Sequence, residues 1–415
     1  MSCDNVNSTT QTVSFDGTNT DAFGRLRVSQ PYTLFDSQNR YQVDGQFDTS
    51  IVSGGSTSYL PNEATVVMTV NTTSGAEVVR QSYRSMPYQP GKGLLSLNTF
   101  VMATAQTNLR QRVGYFGTQN GVYFQLNNTT KSFVLRTYVS GSVDDTSRKV
   151  DQSSWNGDKL DGTGASGYTL DLTKPQILWM DFEWLGVGSV RCGFIINGQY
   201  IVCHTYNTAN VYGSSVYMTT AILPVRYEIT NTGTTASSSS LKQICSSVVS
   251  EGGYEQYSIG HIARNTTKVS SIGLTAIPIV SIRMASNREG SVIVPNRIQV
   301  LPISSQNYEV FLIKNATLTG ASWSAVSTDP NVEQDSSATS YTGGSIVQTD
   351  YLSSSGSGGN NPLVDPAGYN WALQLGASLA GVSDILTLAI RTIDSATPAG
   401  AVYGSMSFWD LSYNP

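Results

Sequence analysis

Histidine and cysteine are scarce in this chain of 415 residues. Its two histidines, His204 and His261, offer little material for a catalytic triad or a histidine-rich metal centre. The four cysteines are too few for a disulfide scaffold and lack the CxxC or CxxH spacing of zinc sites: Cys3, Cys192, Cys203 and Cys245. We therefore expect no metal, no cofactor and no enzymatic activity.

Charged residues and long apolar runs are also few. Asp, Glu, Lys and Arg make up 13% of the chain, about half of the usual ~25%, and the net charge is −5. Because nucleic-acid binding needs an excess of basic side chains, we expect no nucleic-acid partner. No apolar run approaches the ~18–20 residues of a membrane span, and residues 1–20 are polar. We expect neither membrane insertion nor signal-driven secretion.

Short alternating runs separated by turn residues fill most of the sequence, whereas helical periodicity is hard to find. The pattern predicts an all-β fold, a sandwich or jelly roll. The predicted strands of the first half include Ala64–Val70, Glu77–Tyr83, Leu94–Ala103, Arg112–Phe116, Gly121–Leu126 and Ser132–Val139. Those of the second half include Ile277–Met284, Arg297–Ile303, Tyr308–Ile313, Ile385–Thr392 and Val402–Leu411.

Composition divides the chain into three parts. Residues 1–61 are polar and rich in turns, which predicts an extended anchoring arm rather than a domain. Within it, an extended backbone would place Leu26 and Val28 on one side and Arg25 and Arg27 on the other. A β-sandwich is predicted for residues 62–263 and a second β-sandwich-like domain for residues 264–415. Polar, low-complexity loops are predicted at 231–240 and 353–362.

The segment Gln176–Tyr206 carries the clearest strand pattern. Asn197-Gly198 predicts a two-residue hairpin turn that pairs residue 196 with residue 199. This register places Cys192 directly opposite Cys203. Because a buried cysteine behaves as a small hydrophobic side chain, we interpret both as free core thiols, with a disulfide as the alternative.

Three other patterns suggest chemistry. Gly162–Gly167 matches GxGxxG but precedes a predicted strand rather than a helix, so we interpret it as a loop. Asp181 and Glu183 lie ~7 Å apart on one strand face, beyond the ~5–5.5 Å of retaining glycosidases, so we favour a polar surface over a glycosidase. Five loop acids could bind Ca²⁺ but lack EF-hand spacing, which favours solvated carboxylates: Asp144, Asp145, Asp151, Asp158 and Asp161.

Three segments of this sequence resemble a known family. Asp21–Asp36, which contains DAFGRLRVS, is similar to the N-terminal signature of a family of tailed-bacteriophage virion structural proteins found in cyanophages and related marine phages. Trp155–Asp171 and Gln176–Cys203 are similar to the central part of the same family, which implies a concanavalin-like sandwich. Less specifically, Lys314–Trp323 resembles β modules on phage surface proteins.

The resemblance implies a non-enzymatic virion component that is assembled in the host cytoplasm and displays β domains on the particle. Its expected partners are other virion structural proteins and further copies of itself, with a trimer as one candidate. The arm residues expected to contact those neighbours are Phe23, Arg25, Leu26, Arg27, Val28, Tyr32, Leu34 and Phe35. The alternative is a host-surface adhesin that binds carbohydrate through the sandwich.

Overall fold

The fold is known from a computed structural model that describes residues 30–255, 260–326, 328–353, 360–362, 371–394 and 398–412. These residues form strands and two short 3₁₀ turns, at Gln152–Ser154 and Trp371–Leu373, and contain no α-helix. The described part of the chain therefore has no helix capable of crossing a membrane. The prediction of an all-β fold is confirmed.

Fifteen strands of the described residues precede residue 252. They are β1 (Pro31–Gln38), β2 (Phe47–Val52), β3 (Gly55–Leu60), β4 (Thr65–Val70), β5 (Glu77–Ser82), β6 (Gly93–Val101), β7 (Leu109–Phe116), β8 (Gly121–Asn127), β9 (Thr130–Arg136), β10 (Lys149–Asp151), β11 (Gln176–Phe182), β12 (Val190–Ile196), β13 (Gln199–Tyr206), β14 (Val225–Asn231) and β15 (Ser239–Glu251).

These strands form two antiparallel sheets that face each other. Sheet 1 has the order β13-β12-β11-β6-β15-β4-β3, and β1 also pairs with β15. Sheet 2 has the order β10-β9-β8-β7-β14-β5-β2. From β4 to β7 the chain alternates between the sheets at every strand, as in a jelly roll. The predicted sandwich is therefore confirmed.

Large aromatic side chains fill the space between the two sheets. The rings of Phe124 in β8 and Phe194 in β12 meet edge to face at 5.2 Å. Tyr115 in β7 and Phe182 in β11 make a similar contact across the core, also at 5.2 Å. Such edge-to-face pairs contribute ~0.5–1.5 kcal/mol beyond the burial of their area. Because successive side chains of a strand point to opposite faces, each of these rings enters the core from its own strand.

The remaining strands build a second sandwich. They are β16 (Gly260–Arg264), β17 (Val269–Ile272), β18 (Ile277–Met284), β19 (Ile293–Pro302), β20 (Tyr308–Lys314), β21 (Thr317–Thr319), β22 (Ser324–Val326), β23 (Asp329–Asp335), β24 (Ser340–Thr342), β25 (Ser345–Leu352), β26 (Asn360–Pro362), β27 (Ile385–Thr392) and β28 (Gly400–Asp410). Sheet 3 has the order β16-β28-β19-β26, with β17 on β28, and sheet 4 has the order β22-β23-β18-β27-β20-β25. Strands β21 and β24 pair with each other in a small separate sheet. A separate hydrophobic core lies between sheets 3 and 4.

The structure corrects both domain boundaries. Residues 31–60, assigned from their polarity to the arm, form β1, β2 and β3, which pair within sheets 1 and 2. Polarity misled here because these strands lie at sheet edges, where one face is exposed. The second boundary lies before residue 260 rather than after 263. Strand β16 pairs with β28, and Ala263 is buried in the second core.

A short segment before β27 joins the two sandwiches. The amide of Ala377 donates a hydrogen bond of 2.8 Å to the carbonyl of Tyr83, just after β5. Gln374, which is buried, donates from Nε2 to the carbonyl of Ser85 at 2.9 Å. Between them, Gly376 lies so close to Tyr83 that a Cβ at this position would be 2.8 Å from its carbonyl oxygen. The absence of a side chain therefore permits the contact.

A second contact involves Asp48 of β2. Its carboxylate accepts a hydrogen bond of 2.7 Å from the amide of Leu379 and lies 3.4 Å from the hydroxyl of Tyr83. A cavity of about 360 Å³ lies beside this junction, bordered by Asn120 and Ser378. The two sandwiches therefore meet through main-chain and carboxylate hydrogen bonds, with polar space alongside.

Replacing Gly376 with Ala should weaken this junction. The added methyl group would overlap the backbone of Tyr83, so we expect a loss of ~1–3 kcal/mol in the free energy of unfolding and faster amide exchange at Ala377. Gly290→Ala is the matched control because a Cβ there meets no atom within 4 Å. Urea unfolding and hydrogen exchange would test this. Equal behaviour of the two variants would contradict the role assigned to Gly376.

Candidate functional site

Three of the predicted arm residues lie inside the first sandwich. Leu34 and Phe35 in β1 are buried, and the ring of Phe35 meets that of Phe47 at 5.8 Å. The ring of Tyr32 lies 6.2 Å from that of Tyr254. These side chains stabilise their own domain. Any anchoring contact of the Asp21–Asp36 motif would therefore have to come from residues before Tyr32. The other predicted residues lie outside the described part of the chain: Phe23, Arg25, Leu26, Arg27 and Val28.

The two carboxylates considered for glycosidase chemistry have separate structural partners. Asp181, on the outer surface of sheet 1, is ion-paired with Arg191 on the neighbouring strand. Glu183 follows the end of β11 and accepts a hydrogen bond of 3.2 Å from the hydroxyl of Ser189. Burial, followed by the proximity of Asp181, raises the pKa of Glu251, a neighbour that the sequence pattern did not single out. The ion pair and the hydrogen bond favour the polar-surface interpretation.

Two of the loop acids, Asp144 and Asp158, stabilise turns. Asp144 accepts hydrogen bonds from the amides of Thr146 and Ser147, at 2.9 and 3.0 Å, and its contacts with Ser147 are the main cause of its lowered pKa. Asp158 likewise accepts from the amides of Leu160 and Ser166, at 2.8 and 2.7 Å. No group of three or more potential metal ligands occurs among the described residues. Gly162–Gly167 lies within a loop closed by a bridge between residues 161 and 169, and no helix follows it.

The cysteine hairpin follows the predicted register for only part of its length. Residue 196 pairs with 199, and Gly193 with Val202, as the turn requires. A β-bulge then shifts the register, so Cys192 lies opposite His204 and not Cys203. Both thiols are free and buried, and burial raises the pKa of Cys203 to about 12. Burial also lowers the pKa of His204 to about 4. Neither thiol is an activated nucleophile.

The residues Trp155-Asn-Gly-Asp158 attach a loop to the edge of this hairpin. The amides of Gly157 and Asp158 donate to the carbonyls of Cys203 and Val202 at 2.8 and 2.9 Å. A Cβ at Gly157 would lie 2.3 Å from the carbonyl of Val202, so only glycine fits. Trp155 is buried against the ring of Phe133, 4.8 Å away. The motif therefore covers the exposed edge of β13.

An arginine–aromatic layer covers the outer surface of sheet 2, a feature that the sequence analysis missed. Tyr123 lies between the guanidinium groups of Arg112 and Arg136, which are 5.1 and 5.3 Å from its ring centre. Phe116 lies between Arg136 and Arg226, at 5.5 and 5.6 Å. Each cation–π contact contributes ~0.5–2 kcal/mol. The available sequence signal was the spacing of arginines two apart in Leu109–Phe116.

Glu228 provides the central negative charge of this layer. Its carboxylate oxygens lie 3.2–3.4 Å from the guanidinium groups of Arg110, Arg112 and Arg226. Burial alone would raise the pKa of Glu228, but these cations outweigh burial and hold it below the usual value. Asp145 neutralises Arg136 from a neighbouring loop, at 3.0 Å. The layer is thus a buried ion-pair network.

A loop tip with exposed apolar side chains lies at one end of the first sandwich. Two loops, residues 183–189 and 207–217, form this tip. Leu185 is 54% exposed and Val211 70% exposed. The hydroxyl of Thr208 donates to the carbonyls of residues 187 and 188. The amide of Tyr217 donates to the carbonyl of Gly186 at 2.9 Å. Leu185 has a φ of +38°, a conformation that non-glycine residues rarely adopt. The loops therefore present these side chains in a fixed arrangement.

Comparison with known proteins gives little information about function. No protein-family model matches the chain, and no curated protein matches it. The carbohydrate recognition domain of Emp47p is 14% identical, with 58% of this chain and 100% of that one covered at a TM-score of 0.32. The CBM2 module of the evolved Dit of Lactobacillus casei BL23 phage J-1 is 7% identical (55% and 100%, TM-score 0.35). A legume lectin-like domain from Entamoeba histolytica is 11% identical (53% and 97%, TM-score 0.31). No function is transferred at this level.

Replacing Glu228 with Gln should destabilise the first sandwich. It removes the carboxylate that three guanidinium groups share, so we expect a loss of ~3–5 kcal/mol at pH 7. Because the folded pKa of Glu228 is lowered, its contribution is present above ~4.3 and is lost as pH falls through the folded value. The difference between variant and wild type should therefore shrink below pH ~4, as measured by urea unfolding.

Glu333→Gln serves as the control, since it breaks a more exposed pair with Arg283 and should cost at most ~1 kcal/mol. A loss at Glu228 that is no larger than at Glu333, or that persists unchanged at pH 3, would contradict the network described above.

Proposed function

We propose that this chain is a non-enzymatic structural component of a tailed-phage particle. In this proposal the segment before residue 30 attaches to neighbouring virion proteins, and the two joined sandwiches face outward from the particle. The observation that carries the proposal is that the two central segments that resemble the phage family are joined to each other in the fold. Trp155–Asp171 and Gln176–Cys203 form one folding unit, in which backbone hydrogen bonds join the loop to the hairpin.

The chemistry of the described residues supports a structural role over a catalytic one. The thiols are buried, and the neutral ring of His204 accepts a bond of 3.4 Å from the amide of Asn156. Asp158 accepts backbone hydrogen bonds within its own loop. Motif residues that serve the fold in this way are expected of an assembly protein, since function in such a protein resides in surfaces rather than in a reactive centre.

Deleting residues 2–29 should abolish incorporation into particles while leaving both sandwiches folded. The strands that the structure describes begin at Pro31, so the deletion leaves every described strand of sheet 1 in place. The readout is the amount of this protein in purified particles assembled without the wild-type copy, together with the thermal midpoint of the isolated variant. Deleting residues 2–20 is the matched control, because it keeps Asp21–Gln30 and should permit incorporation. Normal incorporation of the longer deletion would exclude this anchoring role.

A second candidate function is adhesion to host-surface carbohydrate through the loop tip. Tyr212 is 42% exposed there, and the guanidinium of Arg148 lies 3.6 Å from its ring centre, which fixes the ring. Val187 and Val211 extend the surface beside it and carry no charge. An exposed aromatic ring that is held in place, with apolar side chains near it, suits the apolar face of a neutral sugar.

If the loop tip binds carbohydrate, Tyr212→Ala should reduce binding to host surface polysaccharides at least tenfold on a glycan array. The matched control is Tyr351→Ala, which removes an exposed tyrosine from the second sandwich and should leave binding unchanged. Absence of any binding by the wild-type chain, or an equal loss in both variants, would eliminate the adhesin function at this tip.

A further inference from the structure

The outer surface of sheet 3 carries positive charge without a compensating acid. Ala263 and Ile298 are buried in the second core, so strand alternation turns the residues beside them outward. These are Arg264 of β16 and Arg297 of β19. The only acidic residue in the described strands of sheet 3 is Asp410, and it is fully buried. No carboxylate from these strands therefore faces outward beside the two arginines.

Neither arginine is neutralised from elsewhere in the described part of the chain. Arg283 of sheet 4 is ion-paired with Glu333 at 2.8 Å, whereas Arg264 and Arg297 form no ion pair with any described residue. Lys268, which directly precedes β17, is exposed and likewise forms none there. The chain as a whole has a net charge of −5, so this surface is a local positive region on an acidic protein. Such a region attracts anions.

The central strand between the two arginines forms a shallow trough. Along β28, two outward aromatic side chains enclose two outward serines: Tyr403, Ser405, Ser407 and Trp409. Arg264 lies opposite Ser405 on one side of this strand. Arg297 lies opposite Ser407 on the other side. We name this set of six residues the basic trough.

The dimensions of the basic trough suit an extended chain. From Tyr403 to Trp409 the strand rises by about 20 Å, and the Cα atoms of the two arginines are about 12 Å apart on a diagonal across it. Both serines are half-buried between longer side chains. Tyr403 is 37% exposed at one end, and Ile262 and Leu301 on the flanking strands are 54% and 53% exposed. The trough is one strand wide and reachable from solvent at Tyr403.

We propose that the basic trough binds a segment of an acidic polysaccharide. Charge complementarity favours an anionic chain, because a guanidinium group pairs with a carboxylate through two parallel hydrogen bonds. The exposed ring of Tyr403 offers a surface for the apolar face of a sugar ring. Between the arginines, the hydroxyls of Ser405 and Ser407 can donate to and accept from sugar hydroxyls. The ligand class is therefore a linear glycan that carries uronic-acid carboxylates.

Other anionic chains fit this surface less well. An extended peptide joins a sheet at its edge, where unpaired backbone groups are available, whereas on the face of sheet 3 its own amides would lack partners. A nucleic acid derives its affinity from many phosphate contacts, and three cations supply few. The inference is independent of the virion proposal and of the loop tip, because it concerns a surface of the second sandwich.

The test is isothermal titration calorimetry of the full chain with short oligomers of polygalacturonate, alginate and hyaluronan. We expect at least one of the three to bind, with an affinity that falls as the salt concentration rises. Arg264→Gln and Arg297→Gln should each weaken binding about tenfold, because each removes a charge-assisted pair of hydrogen bonds. Tyr403→Ala should weaken it about threefold through the lost ring contact.

Two controls separate this site from general attraction between charges. Arg288→Gln removes a positive charge from an exposed residue outside the strands of sheet 3 and should leave the affinity unchanged. Polyglutamate has carboxylates but no sugar rings and should bind at least about tenfold more weakly than the best glycan. The thermal midpoint of each variant would verify that it folds.

Each other outcome overturns the proposal. Absence of binding to all three glycans excludes the ligand class. Equal binding of polyglutamate, or an equal loss in Arg288→Gln, reduces the effect to attraction of any polyanion. Unchanged affinity in Arg264→Gln and Arg297→Gln moves the binding site away from the basic trough. Because the titration uses the isolated chain, each of these results leaves the test of particle incorporation unaffected.

Discussion

An irregularity in the middle of β15 is the feature on which the first sandwich depends. This strand pairs with β4 along its first half, with β1 along its second, and with β6 on its other side. Between Gln243 and Ser246 its register on β6 shifts, which frees two carbonyl groups from regular pairing. Asn39 donates a hydrogen bond of 3.1 Å to the carbonyl of Ile244, and the hydroxyl of Tyr227 donates one of 3.1 Å to that of Cys245. Since Tyr227 belongs to sheet 2, the bulge also joins the two sheets.

Local patterns predicted the strands well because strand alternation and turn chemistry act over short distances. Ile277–Met284 and Ile385–Thr392 match β18 and β27 from end to end. The Asn197-Gly198 turn set the hairpin register through Val202. The register prediction was wrong at Cys203 because a β-bulge depends on what lies beside the strand. Here a loop lies beside β13, and its amides donate hydrogen bonds to the edge of that strand. No pattern within the hairpin reveals that loop.

Long-range features could not be predicted from local patterns. Arg112 and Glu228 are 116 residues apart in sequence, and only the pairing of β7 with β14 places them side by side. The predicted boundary between the two domains was wrong for a similar reason. His261 and Ala263 read as the last strand of the first sandwich, yet their pairing partner, β28, lies near the end of the chain. A single sequence specifies which residues alternate but not which strands meet.

Some of the few charged side chains of this chain are buried. Arg112, Arg136 and Glu228 are all buried, so part of an already small set of charges lies inside the arginine–aromatic layer and not on the surface. Surface charge normally keeps proteins apart through mutual repulsion and solvation. On the outer surface of sheet 1, Asp181 is likewise ion-paired, with Arg191 on the neighbouring strand. A surface that carries few charges agrees with the role in assembly that we propose.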